Sequence, residues 1–586
     1  MVKMNNKALR ERDSKTPFIL LTLFALAVSV VRSLFSIDIT DEVFNIGQVY
    51  RTVIGQKFMV ENWDYFQVGD SLNYPFVYLF HKLTGSTEGI ILYSRICFIV
   101  ITLVLGFITY KLLKPIFGKY PSFAAAILYY TMVTKTLFAY WYDTWSITFM
   151  LLSFILILCA QRSGNSMRYF ILAGVCQAIS VYCYPTAVVV FIVEFILLFI
   201  FSDKAKKKFS LKKPEMLYAI GAALVFLVFV AFCLTRDWSS FFIFNKDIAV
   251  SGLLDRIEQE KNFIKEVIDL IYGFAAQFKA LFVSAFAFGV ICIAVKFLRI
   301  PKILIVIYTF VTSVILWYIS LYGVIPIAGS STQVQLYVLL YWSMCAFFFH
   351  LIFYIKDKRF NDCFIYLFIP AIVAGFVWTL SGKDGAVNFA LGARPAAVMF
   401  ILELFDMIGQ IKFKQKKQLS IPIICVFLAF NTVILFNSSF HSSKPSAIMQ
   451  YESGYSRIES GIFKGIYDKN SKGASLTAFE ETLNSVKEND DETILCGRKI
   501  IFGYLMTDLK PNTNYLWRPG ILGGNELAND YYDILFKYFD LNYGTPDIIV
   551  LRKDEKELKN KVFSEFLNSN YEIKAQNSIY IFYHSK

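Results

Sequence analysis

The stretch TPFILLTLFALAVSVVRSLFSIDITDEVFNIG, residues 16–47, decides how the whole chain is read. Residues 18–36 form an apolar run of membrane-spanning length, and the acidic cluster Asp38, Asp41 and Glu42 follows it directly. A helix needs about 20 apolar residues to cross the hydrocarbon of a bilayer. Carboxylates at the edge of such a span are costly unless something uses them. The cluster is therefore a candidate functional site at a membrane surface.

The rest of the chain repeats the pattern. Of 586 residues, 56% are hydrophobic, 17% aromatic and only 18% charged, more apolar material than a soluble domain needs. Further apolar runs fall near 89–113, 121–139, 145–160, 169–183, 186–201, 215–235, 269–295, 303–321, 335–355, 362–380, 395–411 and 420–436. The expected fold is a polytopic α-helical membrane protein of about thirteen spans. Its formal net charge of +13 does not point to nucleic acid, because the Lys and Arg residues lie in short clusters between the spans. With the N-terminus cytoplasmic, the clusters around Lys7, Lys114, Arg162, Lys208, Arg299, Lys358 and Lys414 all fall on the same side, as the positive-inside rule requires.

That orientation places residues 37–88, 236–268 and 437–586 outside. No small-residue cleavage site follows the first apolar run, so it reads as a retained anchor. Nine of the ten cysteines lie in or beside apolar runs, with only Cys496 in the tail, which argues against a disulfide framework. His81, His350, His441 and His584 show no metal-ligand spacing. Residues 1–436 are expected to form the membrane domain, and 437–586 an extracytoplasmic α/β domain. In the latter, TILCGRKIIFGYL, PDIIVLR and NSIYIFYH read as strands, while AFEETLNSVKEN and DEKELKNKVFSEFLN read as amphipathic helices. Its expected role is a cover or acceptor-binding platform. The segment 236–268 carries Leu253, Ile257, Ile264 and Ile268 at helical spacing and is expected to form an interfacial helix.

In the first external segment, Asp38, Asp41, Glu42, Glu61, Asp64, Asp70 and Glu88 alternate with Trp63, Tyr65, Phe66, Tyr74 and Phe76. A sugar-binding groove needs such aromatic faces, whereas a solvated loop does not. Val43, Ile46, Val49, Val53 and Ile54 recur as in an amphipathic helix lying on the membrane, which would begin at the acidic cluster.

This arrangement resembles the GT-C superfamily of polyprenyl-phosphate-sugar-dependent glycosyltransferases, which includes protein mannosyltransferases and lipid A aminoarabinose transferases. The elements that carry the resemblance are Asp41-Glu42 after the first span, the surface helix running to Gly55, and Tyr74-Pro75 before the second span. They lie within residues 18–200, while the layout of spans followed by a C-terminal domain extends it over the chain. The resemblance implies an inverting transfer of a sugar from a polyprenyl-phosphate donor to an envelope glycan, lipid or protein on the outer face of the cell membrane. Such chemistry needs a carboxylate base for the acceptor hydroxyl and fixed positive charge for the departing phosphate.

Asp41 is implied as the base, with Glu42 as its alternative, and capping of the surface helix is the competing role for Asp38 and Asp41. Arg95, Lys135 and Arg394 are implied as phosphate ligands. Snorkelling to headgroups competes for the two arginines, and pairing with a carboxylate competes for Lys135. Asp143, in AYWYDTWSIT, is implied as an acceptor or metal contact, and Tyr140, Trp141, Tyr142 and Trp145 as a sugar-binding rim alongside Tyr74. An interfacial aromatic belt has the same composition. A divalent cation between Asp41 and Asp143 is chemically reasonable, but nothing in the chain demands one. A lipid-linked oligosaccharide polymerase, or a flippase or transporter without glycosyl transfer, is the alternative. Against a transporter, the chain shows no internal repeat.

Overall fold

The computed structural model describes residues 15–62, 64, 66–132, 139–162, 166–201, 213–235, 272, 278–322, 334–381, 386–411, 416–439, 454–490, 492–513, 515–516, 529–555, 558 and 560–586. The chain begins with α1 (Thr16–Ser33), followed by α2 (Asp41–Val53), the single turn α3 (Gln67–Asp70) and α4 (Tyr74–Thr84). Next come α5 (Ile90–Phe117), α6 (Lys119–Thr131), α7 (Tyr142–Arg162), α8 (Ser166–Cys183), α9 (Val188–Phe201) and α10 (Pro214–Leu234). Helices at Lys279–Phe297, Ile303–Tyr322, Val334–Phe349, Ile369–Ser381, Ala396–Gln410 and Lys416–Ser439 complete the membrane part.

Each expected apolar run contains a helix. Seven among the described residues are long and apolar enough to cross a bilayer, and four shorter apolar helices accompany them. The protein is a multi-pass membrane protein. Outward-facing Leu20, Phe226, Leu227 and Val228 are exposed, as a surface solvated by lipid tails demands, whereas α7 is almost wholly buried at the centre. Helix packing in lipid relies on small residues that let backbones approach. At the α8–α10 crossing, a Cβ on Gly174 would lie 1.9 Å from the Tyr218 carbonyl oxygen, and one on Gly221 would lie 2.0 Å from that of Ile171.

The C-terminal region is α/β, as expected. Strands β1 (Tyr455–Arg457) and β2 (Tyr467–Lys469) form an antiparallel hairpin. Then come the helix Asn470–Val486, β3 (Thr493–Cys496), β4 (Lys510–Pro511), the helix Asn529–Leu541, β5 (Ile548–Arg552), the helix Lys561–Asn570, β6 (Tyr571–Gln576) and β7 (Tyr580–Ser585). The five-stranded sheet runs β4-β3-β5-β7-β6, parallel at β4-β3-β5 and antiparallel beyond.

One expectation is corrected here. Helix α2 does not lie on the membrane with a wet face: every residue from Glu42 to Arg51 is buried. Its apolar residues Val43, Ile46 and Val49 share one hydrophobic core with Val77 and Phe80 of α4 and with Phe463, Ile466 and Leu516 of the C-terminal region. A Cβ on Gly47 would sit 3.1 Å from the Leu516 side chain, so α2 is clasped from above as well as below. Part of the polar face is bonded inside the protein. The Tyr50 hydroxyl donates to Asp508, and Arg51 donates to the carbonyls of Glu61 (2.9 Å) and Thr513 (2.6 Å).

Candidate active site

The acidic motif divides its work among three carboxylates. Asp38 Oδ1 accepts from the Thr40 N–H (2.7 Å), the Thr40 hydroxyl (2.6 Å) and the Asp41 N–H (3.2 Å), which closes the turn that opens α2. Through this turn Asp38 satisfies the N–H of Asp41, the first residue of α2. Glu42 is sealed from solvent and meets Arg95 in a bidentate pair, with Nε to Oε1 and Nη2 to Oε2 both at 2.7 Å. Arg95 Nη1 also donates to the carbonyls of Ser33 (2.8 Å) and Phe35 (3.2 Å), and Nη2 donates to that of Ser36 (2.7 Å). A guanidinium has five N–H donors, and all five are spent here. In this arrangement every Arg95 donor is bonded within the protein and both Glu42 oxygens face Arg95, a geometry that weighs against Arg95 as the phosphate ligand and Glu42 as the base. The snorkelling alternative fails as well, because Arg95 is buried. Asp41, one residue earlier, is only half-buried.

A second group of residues ties the loop to the start of α7. Gly69 lies so close that a Cβ would sit 2.6 Å from Tyr142 Cβ and 3.0 Å from Cys183 Cα. This contact lets Asp70 Oδ1 accept from the Tyr142 N–H at 3.0 Å, capping α7 from another part of the chain. Asp70 Oδ2 is buried without a hydrogen-bond partner among the described residues. Burial, reinforced by Asp64 and opposed by the Tyr142 N–H, holds the Asp70 carboxyl well above the usual carboxylate range, and Asp143 adds to the rise. Asp64 accepts from Gln48 (2.7 Å) and from the Phe66 N–H (2.9 Å), and burial pushes it up to about 7.

Asp143 lies in the first turn of α7 rather than in a loop, and it is 7% exposed. Asn73 links the two layers, donating to the Tyr140 carbonyl (2.5 Å) and accepting from the Trp145 indole (3.3 Å). Asn45, whose Oδ1 is buried with no partner among the described residues, lines a 20 Å³ pocket with Asn73 and Tyr140, which has room for one water. The expected aromatic rim is mostly interior: Tyr140, Trp141 and Trp145 are buried, while Tyr142 and Tyr74 are partly open. Tyr142 stacks on Phe66 at 3.8 Å and on Tyr184 at 6.2 Å, and Tyr184 in turn stacks on Trp378 at 4.4 Å. Tyr74 stacks on Tyr78 and lines a 560 Å³ cavity, bounded by Gln48, Gln67 and Ser71 on one side and by Tyr182, Val228 and Phe229 on the other.

Arg394 precedes the helix Ala396–Gln410 and is nearly buried. It donates to the Tyr129 hydroxyl at 3.1 Å and lies 4.9 Å from the centre of that ring. Among the described residues no carboxylate pairs with it. Lys135, Trp63, Tyr65 and the segment 236–268 fall outside the described residues. Sequence reasoning gave no role to Asn45, Asn73, Asp64 or Asp70. The only signal was the density of acids and amides between two spans, which does not tell buried groups from solvated ones.

With the geometry described, similarity to known proteins can be placed on it. Residues 74–234 match the dolichyl-phosphate-mannose-protein mannosyltransferase family. The matched stretch runs from α4 to the end of α10 and includes Tyr74, Arg95, Trp141 and Asp143. The resemblance to polyprenyl-phosphate-dependent GT-C glycosyltransferases therefore holds for this mannosyltransferase-like part of the chain. No curated protein matches the chain. Among solved structures, the archaeal oligosaccharyltransferase AglB from Archaeoglobus fulgidus, in complex with an inhibitory peptide and a dolichol-phosphate, is 13% identical with a TM-score of 0.46. That match covers 93% of this chain and 70% of the other. ArnT from Cupriavidus metallidurans, bound to undecaprenyl phosphate, is 10% identical with a TM-score of 0.42, over 97% of this chain and 98% of the other. Likenesses this distant assign no residue a role.

Proposed function

We propose that the protein is an inverting glycosyltransferase that moves a sugar from a polyprenyl-phosphate donor to an envelope glycan, lipid or protein at the outer membrane face. The observation that carries this reading is the division of labour in the Asp41-Glu42 pair, next to a mannosyltransferase-like stretch. Glu42 is locked and neutralised by Arg95, while its half-buried neighbour Asp41 opens α2. Asp41 accepts the proton of the acceptor hydroxyl as the new bond forms between that oxygen and the anomeric carbon. The bond from that carbon to the phosphate oxygen breaks, and polyprenyl phosphate leaves with the electron pair. Positive charge preorganised in a site of low dielectric stabilises such a leaving group. Arg394, buried and without a carboxylate partner among the described residues, is suited to that task.

Asp143 and Tyr74 contact the sugar or acceptor in this reading, and Lys135 is a further candidate for the phosphate. The carboxylates of Asp41 and Asp143 are the oxygen donors that a divalent cation would take. Residues 1–436 act as the membrane catalytic domain and 437–586 as its extracytoplasmic partner, with the N-terminus cytoplasmic.

The test is sugar release by the purified full-length protein in lipid nanodiscs. It uses a panel of radiolabelled undecaprenyl-phosphate hexoses and pentoses, with cell-envelope extract as acceptor. Asp41→Asn is expected to lower the rate on the order of 10²–10⁴-fold while donor binding persists. Arg394→Met is expected to weaken both donor binding and rate. Full activity in Asp41→Asn removes Asp41 as the base, and no transfer from any donor removes the reading.

A further inference from the structure

The segment between α1 and the acidic motif is tied to the distant hairpin β1–β2 by a single β-bridge at Phe35. The Ser36 N–H donates to the Tyr467 carbonyl at 2.9 Å, the Tyr467 N–H donates to that of Leu34 at 2.7 Å, and Phe35 bridges Tyr467 in parallel register. One residue further on, side chains take over from backbone. Asp468 Oδ2 accepts from the Ile37 N–H at 2.8 Å, and Lys472 Nζ donates to the Ile37 carbonyl at 2.7 Å. Asp468 and Lys472 are themselves 3.2 Å apart. Both polar groups of Ile37 thus end on charged partners, the stronger kind of hydrogen bond. The partners come from a region 431 residues away.

The other edge of the same segment is gripped by Arg95, through the carbonyls of Ser33, Phe35 and Ser36. Arg95 stands in the second turn of α5, and the first turn of α5 is capped by the loop of the same hairpin. There the Gly89 N–H donates to the Gly461 carbonyl (3.0 Å) and the Ile91 N–H to that of Ile462 (3.3 Å). One hairpin therefore sets both jaws of the clamp. The next residue after Ile37 is Asp38, whose turn ends at Asp41.

We propose that Asp468 and Lys472 are positioning residues for the sugar transfer, holding the Ile37 peptide from both sides so that the Asp38–Asp41 turn presents the Asp41 carboxylate at a fixed place. This rests on the glycosyltransferase reading. With side chains holding Ile37, the chain turns directly from the Phe35 bridge into the acidic motif. The hairpin thereby becomes part of the catalytic arrangement. A displacement of about 1 Å at a reacting group costs on the order of 100-fold in rate, so a slack clamp is visible in kcat.

The test compares full-length wild type with Asp468→Ala, Asp468→Asn and Lys472→Met in nanodiscs, with Lys574→Met as a control in the same region. Amide hydrogen exchange over residues 34–44 is read first, because it needs no substrate. Transfer from the undecaprenyl-phosphate sugar that the wild type turns over is read second. Asp468→Ala is expected to speed exchange of the Ile37–Asp41 amides and to lower kcat at least about tenfold, with donor KM within about twofold. Asp468→Asn, which keeps an acceptor oxygen, is expected to recover most of both, and Lys574→Met to match wild type. If Asp468→Ala is not recovered folded, Lys472→Met carries the same comparison. Unchanged exchange and kcat in both variants overturn the positioning role and leave the glycosyltransferase reading intact, as does an equal loss in Lys574→Met. Faster exchange in Asp468→Ala combined with no transfer by the wild type overturns the glycosyltransferase reading and leaves the clamp.

Discussion

Burial lifts the Asp64 carboxyl to about 7, although the Phe66 N–H, the Arg51 charge and the Gln48 amide all pull it down. In the unfolded chain its value returns to 3.8. Between these values the folded protein binds the extra proton, so this contribution to stability is full below about pH 4 and is lost as pH rises through about 7. Asp70 is displaced in the same direction, chiefly by burial, and adds to the trend. Asp64→Asn, which cannot ionise, is therefore expected to flatten the fall. Below about pH 4 its Tm in nanodiscs should lie close to that of wild type, and the gap should widen in favour of the variant up to about pH 8. A gap that does not change with pH would show that Asp64 does not titrate between folded and unfolded states. The sequence made this region stand out by its seven acids, but it carried no sign of which were covered. Asp64 and Asp70 are bonded by Gln48, 16 residues from Asp64, and by the Tyr142 N–H, 72 residues from Asp70. The same holds for Arg95: its place at the start of the second span was legible, but the Glu42 carboxylate that pairs with it lies 53 residues away.

At the scale of elements, what could be read were runs whose period matches one environment. The apolar runs each became a helix, and PDIIVLR and NSIYIFYH became β5 and β7. Elements that depend on a partner were misread. Helix α2 has the apolar stripe of an interfacial helix, but its polar stripe is buried against protein, where Tyr50 and Arg51 find partners. The second half of TILCGRKIIFGYL turns into a 3-10 segment, Ile501–Leu505, in which the Tyr504 hydroxyl returns to the Cys496 backbone, so only its first half is a strand. The α8–α10 crossing is a further case, since neither Gly174 nor Gly221 announces a contact alone. Gly174→Val is expected to force the two helices apart. It should cost roughly 3 kcal/mol, near the upper range for overpacking, read as a lower Tm and poorer recovery from detergent. Gly409, where a Cβ would meet nothing within 4 Å, is the matched control as Gly409→Ala, expected to be near neutral. Equal behaviour of the two variants would mean that the crossing is not as close as described.

For the whole molecule, the decisive fact is that the first loop and the C-terminal region share one core. Val43, Ile46, Val77, Phe80, Ile90 and Ile91 of the loop side pack with Ile462, Phe463, Ile466, Leu505 and Leu516 across a gap of about 400 residues in sequence. The order of spans and tail was legible in the chain, but a core assembled from both ends was not, because hydrophobic periodicity shows that a face is buried without saying against what. A chain cut after Ser439 would leave that apolar face open to water, together with the backbone groups of residues 34–37 that the hairpin satisfies. Contiguous apolar surface of this kind drives association. The fragment 1–439 is therefore expected to run as aggregates in size-exclusion chromatography. Co-expression with 440–586 is expected to return a single species in which both pieces co-purify, because each supplies half of the buried surface. A monodisperse 1–439 fragment with the hydrogen-exchange protection of residues 34–53 intact would show that loop and tail are separable. The tail would then be a platform added to a complete membrane unit. The expected dependence instead makes the acidic motif a product of both parts of the chain, since the backbone leading into Asp41 is held on both sides, by Arg95 and by the hairpin, only when the hairpin is in place.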